Sequence, residues 1–517
     1  MKRWPEMIAI GSIVAVLSAA VLLERAPAQR VPVAADTSAT VGSTSEAATF
    51  LIRNARVFDG ENVIDAANVL VRDGRIEAVG HDVAIVAGMR VIDATGKTLL
   101  PGLIDAHTHS WGDAQRDALR FGVTTEIDMH GDWHRLPALK SRRESLARND
   151  QADLWAAGVA VTAPGGHGTQ YGFVIPTVDA STDIPAFVAA RVGEGADFIK
   201  LIIEDLSVYS ATQRWPTLDQ KQIAAVIASA HHQQRLAVAH VSRQLDARVA
   251  VDAGVDGLAH VFIDESASDE FVEAARRARL FIVPTLSVTA SGSGAGDGRA
   301  IAADARLQAF LTPAQTSSLA AGFAVIEKNE VYRDHAFASV RRLHAAGVDI
   351  LAGTDAGNPG TTHGASLHGE LELLVRAGMP AQRALNAATA LPARRFGMTE
   401  RGRIAAGMRA DMLLVDGDPL TDITVTRAIV TVWKNGFVVE RAAQGEKTSK
   451  AMRAPTQPLI SDFEGGVIDT TFGTAWRVTS DQMMGGASVA AQQLVTDGAN
   501  GTTASLEISG EIKPGFA

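Results

Sequence analysis

The stretch Pro101-Gly-Leu-Ile-Asp-Ala-His-Thr-His109 joins an apolar strand pattern to a His-x-His pair. Side chains at positions i and i+2 of a strand share one face, so the imidazoles of His107 and His109 are expected to point the same way. Such a pair suits a divalent metal ion, but taken alone it is equally compatible with a structural role. The rest of the chain has to distinguish these two interpretations.

Seven further strand patterns follow, and amphipathic helical patterns fall between most of them. Eight β-α repeats in about 250 residues are typical of an α/β fold, the (β/α)8 TIM barrel, whose active site lies at the C-terminal ends of the strands. Segment 287–347 is too long for one crossover connection, and we expect it to supply a lid over those ends. The predicted strands lie near residues 103–107, 122–128, 154–161, 197–203, 236–240, 257–262, 281–285 and 349–354.

Lys200 interrupts an apolar strand, where an ammonium group is costly to bury unless it is paired. One interpretation is a lysine that reaches solvent or pairs with Glu204 or Asp205. The other is a lysine whose pKa is lowered by burial. Its neutral amine can react with carbon dioxide to give a carbamate, an anionic oxygen ligand able to bridge two metal ions.

Three more polar residues end predicted strands: His240 the fifth, His260 the sixth and Asp355 the eighth. Each residue by itself is more often structural than catalytic. With the His-x-His pair and Lys200, however, they would all meet at the same end of one barrel. This coincidence predicts a metal centre.

These residues resemble the metal signature of the amidohydrolase superfamily. The resemblance rests on residues 101–109, on the lysine and two later histidines, and on Gly353-Thr-Asp355. Gly402-Arg-Ile-Ala-Ala-Gly-Met-Arg-Ala-Asp411 is similar to the closing β segment of the same group. The imidazolonepropionase-like and Xaa-Pro/Xaa-Arg dipeptidase-like members resemble this chain most, over residues 50–440.

The resemblance implies a role for each ligand. His107, His109 and Asp355 would hold one divalent metal, His240 and His260 a second, and carbamylated Lys200 would bridge them. Two Zn²⁺ ions are expected, with manganese or cobalt as alternatives. A metal lowers the pKa of bound water from about 15.7 to about 7, so a bridging hydroxide would attack the substrate carbonyl at neutral pH. Asp355 would act as the general base and pass the proton to the leaving nitrogen.

Two positions depart from the family pattern. Leu201-Ile-Ile-Glu-Asp205 follows the lysine, where dipeptidase-like members often have a Gly-rich turn. Ser242 stands where many relatives have a second histidine after the fifth-strand ligand. Both differences bear on the substrate more than on metal binding.

Three residues outside the metal set are predicted to contact substrate. His167 lies in Pro164-Gly-Gly-His-Gly-Thr-Gln-Tyr171, where glycines allow close approach of the backbone, and we assign it a catalytic hydrogen bond to a carbonyl or carboxylate. Tyr209 follows the fourth strand and His363 follows the eighth. A packing or solvated role is the alternative for each residue.

Short β patterns flank the barrel on both sides. Residues 49–102 and 400–441 are predicted to form one small β-sandwich into which the barrel, residues 103–399, is inserted. A linker at 442–457 precedes a last β-rich piece at 458–517. This piece resembles part of a CIA30-like β-sandwich domain, chiefly through Met483-Met-Gly-Gly486.

The N-terminus has the pattern of an export signal. Lys2 and Arg3 precede an apolar run that ends at Leu23, and Ala26-Pro27-Ala28 offers a small-residue cleavage site. We therefore predict a signal peptide at residues 1–28 and a linker at 29–48. A retained membrane anchor is the alternative, because the run is just long enough to span a bilayer. Both interpretations place the body in the periplasm or outside the cell.

Composition excludes several other classes. The 517 residues carry a net charge of −10, which argues against a general basic surface that would bind nucleic acid. No cysteine is present, which excludes disulfides, thiolate metal sites and a cysteine nucleophile. Any metal must be held by histidine, carboxylate or lysine-derived ligands.

Together these patterns predict an exported metal-dependent hydrolase that cleaves the C–N bond of a peptide or an N-acyl amino acid. One alternative is a mononuclear cyclic-amide hydrolase or deaminase of imidazolonepropionase type. A non-enzymatic alternative is a glycan- or protein-binding module with a vestigial barrel. The expected partners are a small amide or peptide substrate, a second copy in a homo-oligomer, and a glycan or protein at the C-terminal domain. Membrane contact is expected only through the N-terminal segment.

Overall fold

The computed structural model describes residues 49–441, apart from 85–87, 148, 172–173, 295 and 324–328, together with residue 443 and two C-terminal strands. The predicted signal peptide and linker at 1–48, and nearly all of the linker at 442–457, lie outside the described residues and stay predictions. So does most of the CIA30-like piece. Among the described helices, none has both the length and the apolar character needed to cross a bilayer.

Five strands precede the barrel, and β1 pairs with three of the other four: β2, β4 and β5. Their apolar side chains cover a buried core in which Phe50 stacks on Trp433, with ring centroids 5.8 Å apart. The strands are β1 (Phe50–Phe58), β2 (Val63–Arg72), β3 (Arg75–Gly80), β4 (Arg90–Asp93) and β5 (Lys97–Pro101).

Eight parallel strands form the barrel, in two hydrogen-bonded groups of three and five. Both seams between the groups are bridged by backbone hydrogen bonds. Val161 donates to the Lys200 carbonyl at one seam, and Asp355 donates to the His107 carbonyl at the other, each at 2.8 Å. The strands are β6 (Leu103–Thr108), β7 (Val123–Asp128), β8 (Asp153–Ala156), β9 (Ile199–Ile203), β10 (Ala237–Val241), β11 (Gly257–Ala259), β12 (Phe281–Val283) and β13 (Asp349–Ile350).

Several barrel strands end earlier than the sequence predicts, because the chain turns out of the extended conformation. After β8, Gly158 has a φ of 68°, and after β11, His260 has a φ of 77°. Each of these left-handed residues breaks the strand ladder. The residues beyond them therefore form loops around the mouth of the barrel.

Helices connect the strands, and polar capping residues set where several of them begin. The Asp219 carboxylate accepts the backbone N–H of Gln222 at 2.8 Å, and the Gln222 side chain accepts the N–H of Asp219 at 2.9 Å, which forms a capping box. The helices before β13 are α1 (Ala114–Arg120), α2 (Leu136–Glu144), α3 (Ile184–Gly193), α4 (Gln220–His232), α5 (Gln244–Asp252), α6 (Asp269–Ala278), α7 (Leu286–Gly292), α8 (Gly298–Ala303), α9 (Ala305–Gln308), α10 (Pro313–Ala320) and α11 (Glu330–Ala345). Those after it are α12 (Ala365–Arg376), α13 (Ala381–Ala387) and α14 (Ala390–Arg395).

The chain then returns to the first β domain. β14 (Met412–Asp416) pairs antiparallel with β5 and is followed by β15 (Ile429–Lys434) and β16 (Phe437–Val438), so strands from both sides of the barrel share one eight-stranded sheet. This confirms the predicted α/β fold with a split β domain. Two C-terminal strands, β17 (Val489–Val495) and β18 (Ser505–Glu511), pair antiparallel with each other.

Candidate metal centre

A cavity of about 770 Å³ lies at the C-terminal ends of the barrel strands. Most of the residues predicted for the site line it, although they are far apart in sequence. His107 lies beneath the cavity, is fully buried, and contacts Asp355. The predicted residues that line the cavity are His109, His167, Lys200, Tyr209, His240, His260 and Asp355.

His107, His109 and Asp355 form the tightest group of candidate ligands. Asp355 Oδ1 lies 3.3 Å from His107 Nε2 and 3.1 Å from His109 Nε2, and one ligand atom of each residue lies within 4.8 Å of the others. Within the described part of the chain, neither ring nitrogen of His107 has a hydrogen-bond partner, although both are buried. Buried imidazole nitrogens that face a carboxylate oxygen without a hydrogen bond fit a divalent cation.

Hydrogen bonds orient two of the imidazoles from behind. His109 Nδ1 lies 3.0 Å from the backbone oxygen of His130, and His260 Nδ1 lies 2.7 Å from Thr285 Oγ1. A proton on Nδ1 that is shared with such an acceptor leaves Nε2 as the lone-pair nitrogen. This arrangement prepares both rings to bind a metal through Nε2.

The backbone is strained at the same place. His260, Thr285 and Asp355 have φ values of 77°, 51° and 58°. Residues other than glycine rarely adopt the left-handed region, and clusters of them mark functional sites. Here the strained residues include two of the predicted metal ligands.

His240 and His260 form the second group, with ring centroids 4.4 Å apart, and His260 lies 4.7 Å from His107 by the same measure. Lys200 is only 3% exposed and lines the cavity beside them. The structure thus brings all six predicted ligands together. Their assignment as ligands stays a prediction, since no metal is part of the structure.

Burial sets the protonation of these groups. Desolvation lowers the pKa of Lys200 to about 7, although the negative charges of Asp355 and Asp128 act to raise it. A large fraction of the lysine amine is therefore neutral near neutral pH. Burial also lowers the pKa of His107 and His260 well below the usual range, which keeps both rings neutral. Neutral imidazoles and a neutral lysine amine are the forms required for metal ligation and for carbamate formation.

Asp355 behaves in the opposite way. Burial alone would raise the pKa of its carboxyl, but the hydrogen bond and charge of the neighbouring His109 hold it well below the usual range. For His109, burial lowers the pKa, but Asp355, Asp128 and the His130 carbonyl together outweigh it, and the pKa is raised. Asp355 is therefore an ionised carboxylate in the metal-free protein.

Asp105 ties two ligand-bearing segments together beneath the cavity. Its Oδ1 accepts the backbone N–H of His107 at 3.2 Å and that of Thr354 at 3.0 Å, while Oδ2 accepts the Thr354 hydroxyl at 2.7 Å. Because His107 and Asp355 adjoin these contacts, the fully buried Asp105 positions both ligands. The sequence analysis did not assign it a role.

Two further cavity residues were not predicted as site residues, and the sequence analysis considered Glu204 only as a partner of Lys200. His130 follows β7, and its Nδ1 accepts the Ala160 N–H at 3.0 Å; burial lowers its pKa to about 3. Glu204 lines the cavity four residues after Lys200, on the same face of the β9 segment. For His130, the usable signal in the sequence is its position just after a barrel strand. For Glu204, the signal is the alternation of side chains that continues from β9, which puts residues 200 and 204 on one face.

His363 follows the eighth barrel strand, as predicted, and its ring contacts a buried carboxylate. Its Nδ1 lies 2.7 Å from Glu126 Oε1, and it is not among the residues that line the cavity. Glu126 also accepts the Ser110 hydroxyl at 2.9 Å, so the ring belongs to a buried polar cluster beside β7. The predicted contact between His363 and substrate stays a prediction, and this hydrogen bond shows what the ring contacts in the folded chain.

Two loops complete the cavity wall. His167 stacks on Trp215 with ring centroids 5.4 Å apart, and Tyr209 lies near the ends of β9 and β10. Val288 and Tyr332, from the long segment between β12 and β13, also line the cavity. That segment therefore contributes a wall at the position where the sequence predicted a lid.

Comparison with known proteins gives relatives over most of the chain. Ochratoxinase of Aspergillus niger is 25% identical over 453 residues, which cover 77% of this chain and 88% of that protein. Imidazolonepropionase of Deinococcus radiodurans is 26% identical over 389 residues, 71% of this chain and 89% of that protein. A solved Xaa-Pro dipeptidase structure with bound methionine in the active site is similar in fold, at 24% identity and a TM-score of 0.58, over 76% of this chain and all 100% of the other. The Amidohydrolase family profile matches residues 98–439, and the chain belongs to this family.

Proposed function

We propose that this member of a family of C–N bond hydrolases cleaves the amide bond of a peptide or an N-acyl amino acid. The observation that carries the proposal is the convergence of His109, His240, His260, Lys200 and Asp355 on one cavity at the barrel mouth, with His107 in contact with Asp355 and His260. The cavity, at about 770 Å³, is in the range that holds a small-molecule substrate.

The residues present fit two divalent metals, for which Zn²⁺ suits the histidine and carboxylate donors. His107, His109 and Asp355 would hold one, His240 and His260 the other, and carbamylated Lys200 would join them. When bound, such metals lower the pKa of water and polarise a carbonyl oxygen. The low pKa of Lys200 and its burial support the carbamate.

Asp355 supplies the proton transfer in this proposal. It is ionised, and it lies at the floor of the cavity beside His107 and His109. A carboxylate in this position accepts a proton from attacking water and delivers it to the leaving nitrogen. Expulsion of a neutral amine then completes the cleavage of the C–N bond.

His167 is placed to donate a hydrogen bond to the substrate. Gln170 Oε1 accepts the Gly168 N–H at 2.7 Å, which directs the Gln170 amide N–H toward His167 Nδ1, 3.0 Å away. His167 Nδ1 is thus an acceptor, and the ring proton resides on Nε2. Burial lowers the pKa of His167 to about 3, so the ring is a neutral donor.

The test combines metal analysis with a substrate panel. Metal per chain is measured by mass spectrometry on protein purified without chelator, and hydrolysis is followed for dipeptides, N-acyl amino acids and cyclic amides. Two equivalents of metal with hydrolysis of a linear amide support the proposal. Protein that holds no metal after exposure to zinc and bicarbonate, and that hydrolyses no amide, refutes it.

One observation favours a second candidate. Among the described residues, His107, His109 and Asp355 are the only group of three histidine and carboxylate donors whose ligand atoms lie within 4.8 Å of one another. A mononuclear site of this kind would suit hydrolysis of a cyclic amide. One metal equivalent, with turnover of cyclic amides alone, would favour this alternative.

A further inference from the structure

Glu204, within the 201–205 segment that departs from the family pattern, meets Ser242, the second departure, at the cavity wall. The Ser242 hydroxyl hydrogen-bonds to Glu204 Oε2, and the backbone N–H of Leu206 donates to Glu204 Oε1. The Glu204 side chain is only 3% exposed, yet it lines the cavity. A carboxylate is therefore fixed in one orientation beside the metal centre.

The direction of these hydrogen bonds follows from the chemistry of the groups. A carboxylate only accepts, so Ser242 must donate its single proton to Glu204. Tyr209 Oη lies 3.0 Å from Ser242 Oγ, and Tyr209 must then donate to Ser242. Because the phenolic proton is used in this hydrogen bond, Tyr209 Oη presents only its lone pairs to the cavity. This wall consequently presents acceptors and negative charge.

Among the described residues, no lysine or arginine forms an ion pair with Glu204, although the charge of Arg243 acts on it from a longer distance. In the part of the chain that the structure describes, its one ion-pair contact is with His240 Nε2 at 3.6 Å. The guanidinium of Arg214, which also lines the cavity, instead donates to the Ser210 carbonyl at 2.8 Å. A buried carboxylate without a lysine or arginine partner favours a ligand that brings its own positive charge.

The position of Glu204 indicates which part of the substrate it faces. In a peptide with a free N-terminus, the α-nitrogen is two bonds from the carbonyl carbon that is attacked, about 2.5 Å away. A carbonyl held at the metal centre therefore puts its α-ammonium next to the metal ligands. Glu204 Oε2 lies 3.6 Å from Nε2 of His240, one of the predicted ligands, so its carboxylate is within reach of a group at that position.

We propose that Glu204, held by Ser242 and Leu206 and flanked by Tyr209, binds the free α-ammonium group of the substrate. The enzyme then takes peptides with a free N-terminus in preference to N-acyl amino acids. This inference rests on the proposed amide hydrolysis and narrows its substrate class. N-acylation removes the charge that Glu204 would pair with.

The test compares substrates that differ only in the ammonium group. L-Phenylalanyl-L-leucine is paired with 3-phenylpropanoyl-L-leucine, and L-alanyl-L-leucine with propanoyl-L-leucine. We expect the wild-type enzyme to favour each dipeptide by at least about tenfold in kcat/KM, the size expected for a hydrogen bond to a charged group. Glu204→Gln should lose about tenfold or more on the dipeptides and change the desamino analogues by less than about twofold.

Asp205→Asn is the matched control, because it neutralises the adjacent carboxylate, which does not line the cavity. It should keep the wild-type substrate ratio. Wild-type activity that is equal or greater on the desamino analogues, or confined to N-acyl amino acids, overturns this inference and leaves amide hydrolysis standing. A Glu204→Gln enzyme that loses a metal equivalent and keeps the substrate ratio also overturns it. Absence of any amide hydrolysis overturns both proposals.

Discussion

Thr354→Val should weaken the metal centre without touching a ligand. Thr354 Oγ1 donates to Asp105 Oδ2 at 2.7 Å and accepts the Ala356 N–H at 3.0 Å. Both bonds hold the turn that carries Asp355 against the end of β6. Valine has nearly the same shape, so the substitution removes these bonds and adds little cavity volume.

The expected cost follows from the bonds that are lost. Each contributes about 1 kcal/mol net, and a buried acceptor left without a partner costs about 1–3 kcal/mol more. The substitution would leave Asp105 Oδ2 as such an acceptor, because Thr354 is its hydrogen-bond donor within the described residues. The free energy of unfolding should fall by about 3–5 kcal/mol. Metal affinity should fall about 10- to 100-fold, as it does when groups that orient ligands are removed.

Two measurements check this expectation: thermal unfolding of the metal-free protein, and zinc affinity by competition with a chromophoric chelator. Thr125→Val is the matched control. Thr125 is also fully buried, but within the described residues its hydroxyl has no hydrogen-bond partner. The control should melt at or above the wild-type temperature and bind zinc normally. If Thr354→Val matches the control in both assays, the positioning role of Asp105 and Thr354 is wrong.

Three further outcomes are expected. Asp355→Asn should lower turnover by about 100- to 10,000-fold, because the substitution removes the proton acceptor. The metal content, measured by mass spectrometry, should stay near the wild-type value. Unchanged turnover would exclude Asp355 as the base. Lys200→Met keeps the apolar stem and cannot form a carbamate, so it should lose one metal equivalent per chain; an unchanged metal count would contradict the bridge. Burial raises the pKa of Asp105 to about 8 from an unfolded value near 3.8, so the folded state holds a proton that the unfolded state releases. The stability of the metal-free protein should therefore fall as pH rises between these values, and Asp105→Asn should flatten that slope in unfolding experiments; an unaltered slope would exclude Asp105 as its source.

The grouping of the candidate ligands was largely predictable, because strand direction is a local property. His107 and His109 share a face through the two-residue period of a strand, and His240, His260 and Asp355 each end an apolar run. Parallel strands in a barrel bring their C-terminal ends together whatever their separation in sequence. Six distant residues could therefore be assigned to one site.

The substrate side of the cavity was less predictable, because it depends on the paths of loops. His363 looked like a substrate contact by its place after β13, but it pairs with Glu126, a residue 237 positions earlier. His130 and Glu204 have sequence positions as suggestive as those that were chosen. Only the folded chain shows that they face the cavity.

The sequence by itself determined the α/β barrel, the split β domain and the candidate ligands, since these follow from periodicity and from residue type at strand ends. The tertiary structure alone decided which groups are buried beside one another. The lowered pKa of Lys200, the ionised Asp355 and the Glu204–Ser242–Tyr209 hydrogen bonds arise from side chains on separate strands and loops. Desolvation and hydrogen bonding act over a few ångströms in space, and distance along the chain carries no information about them.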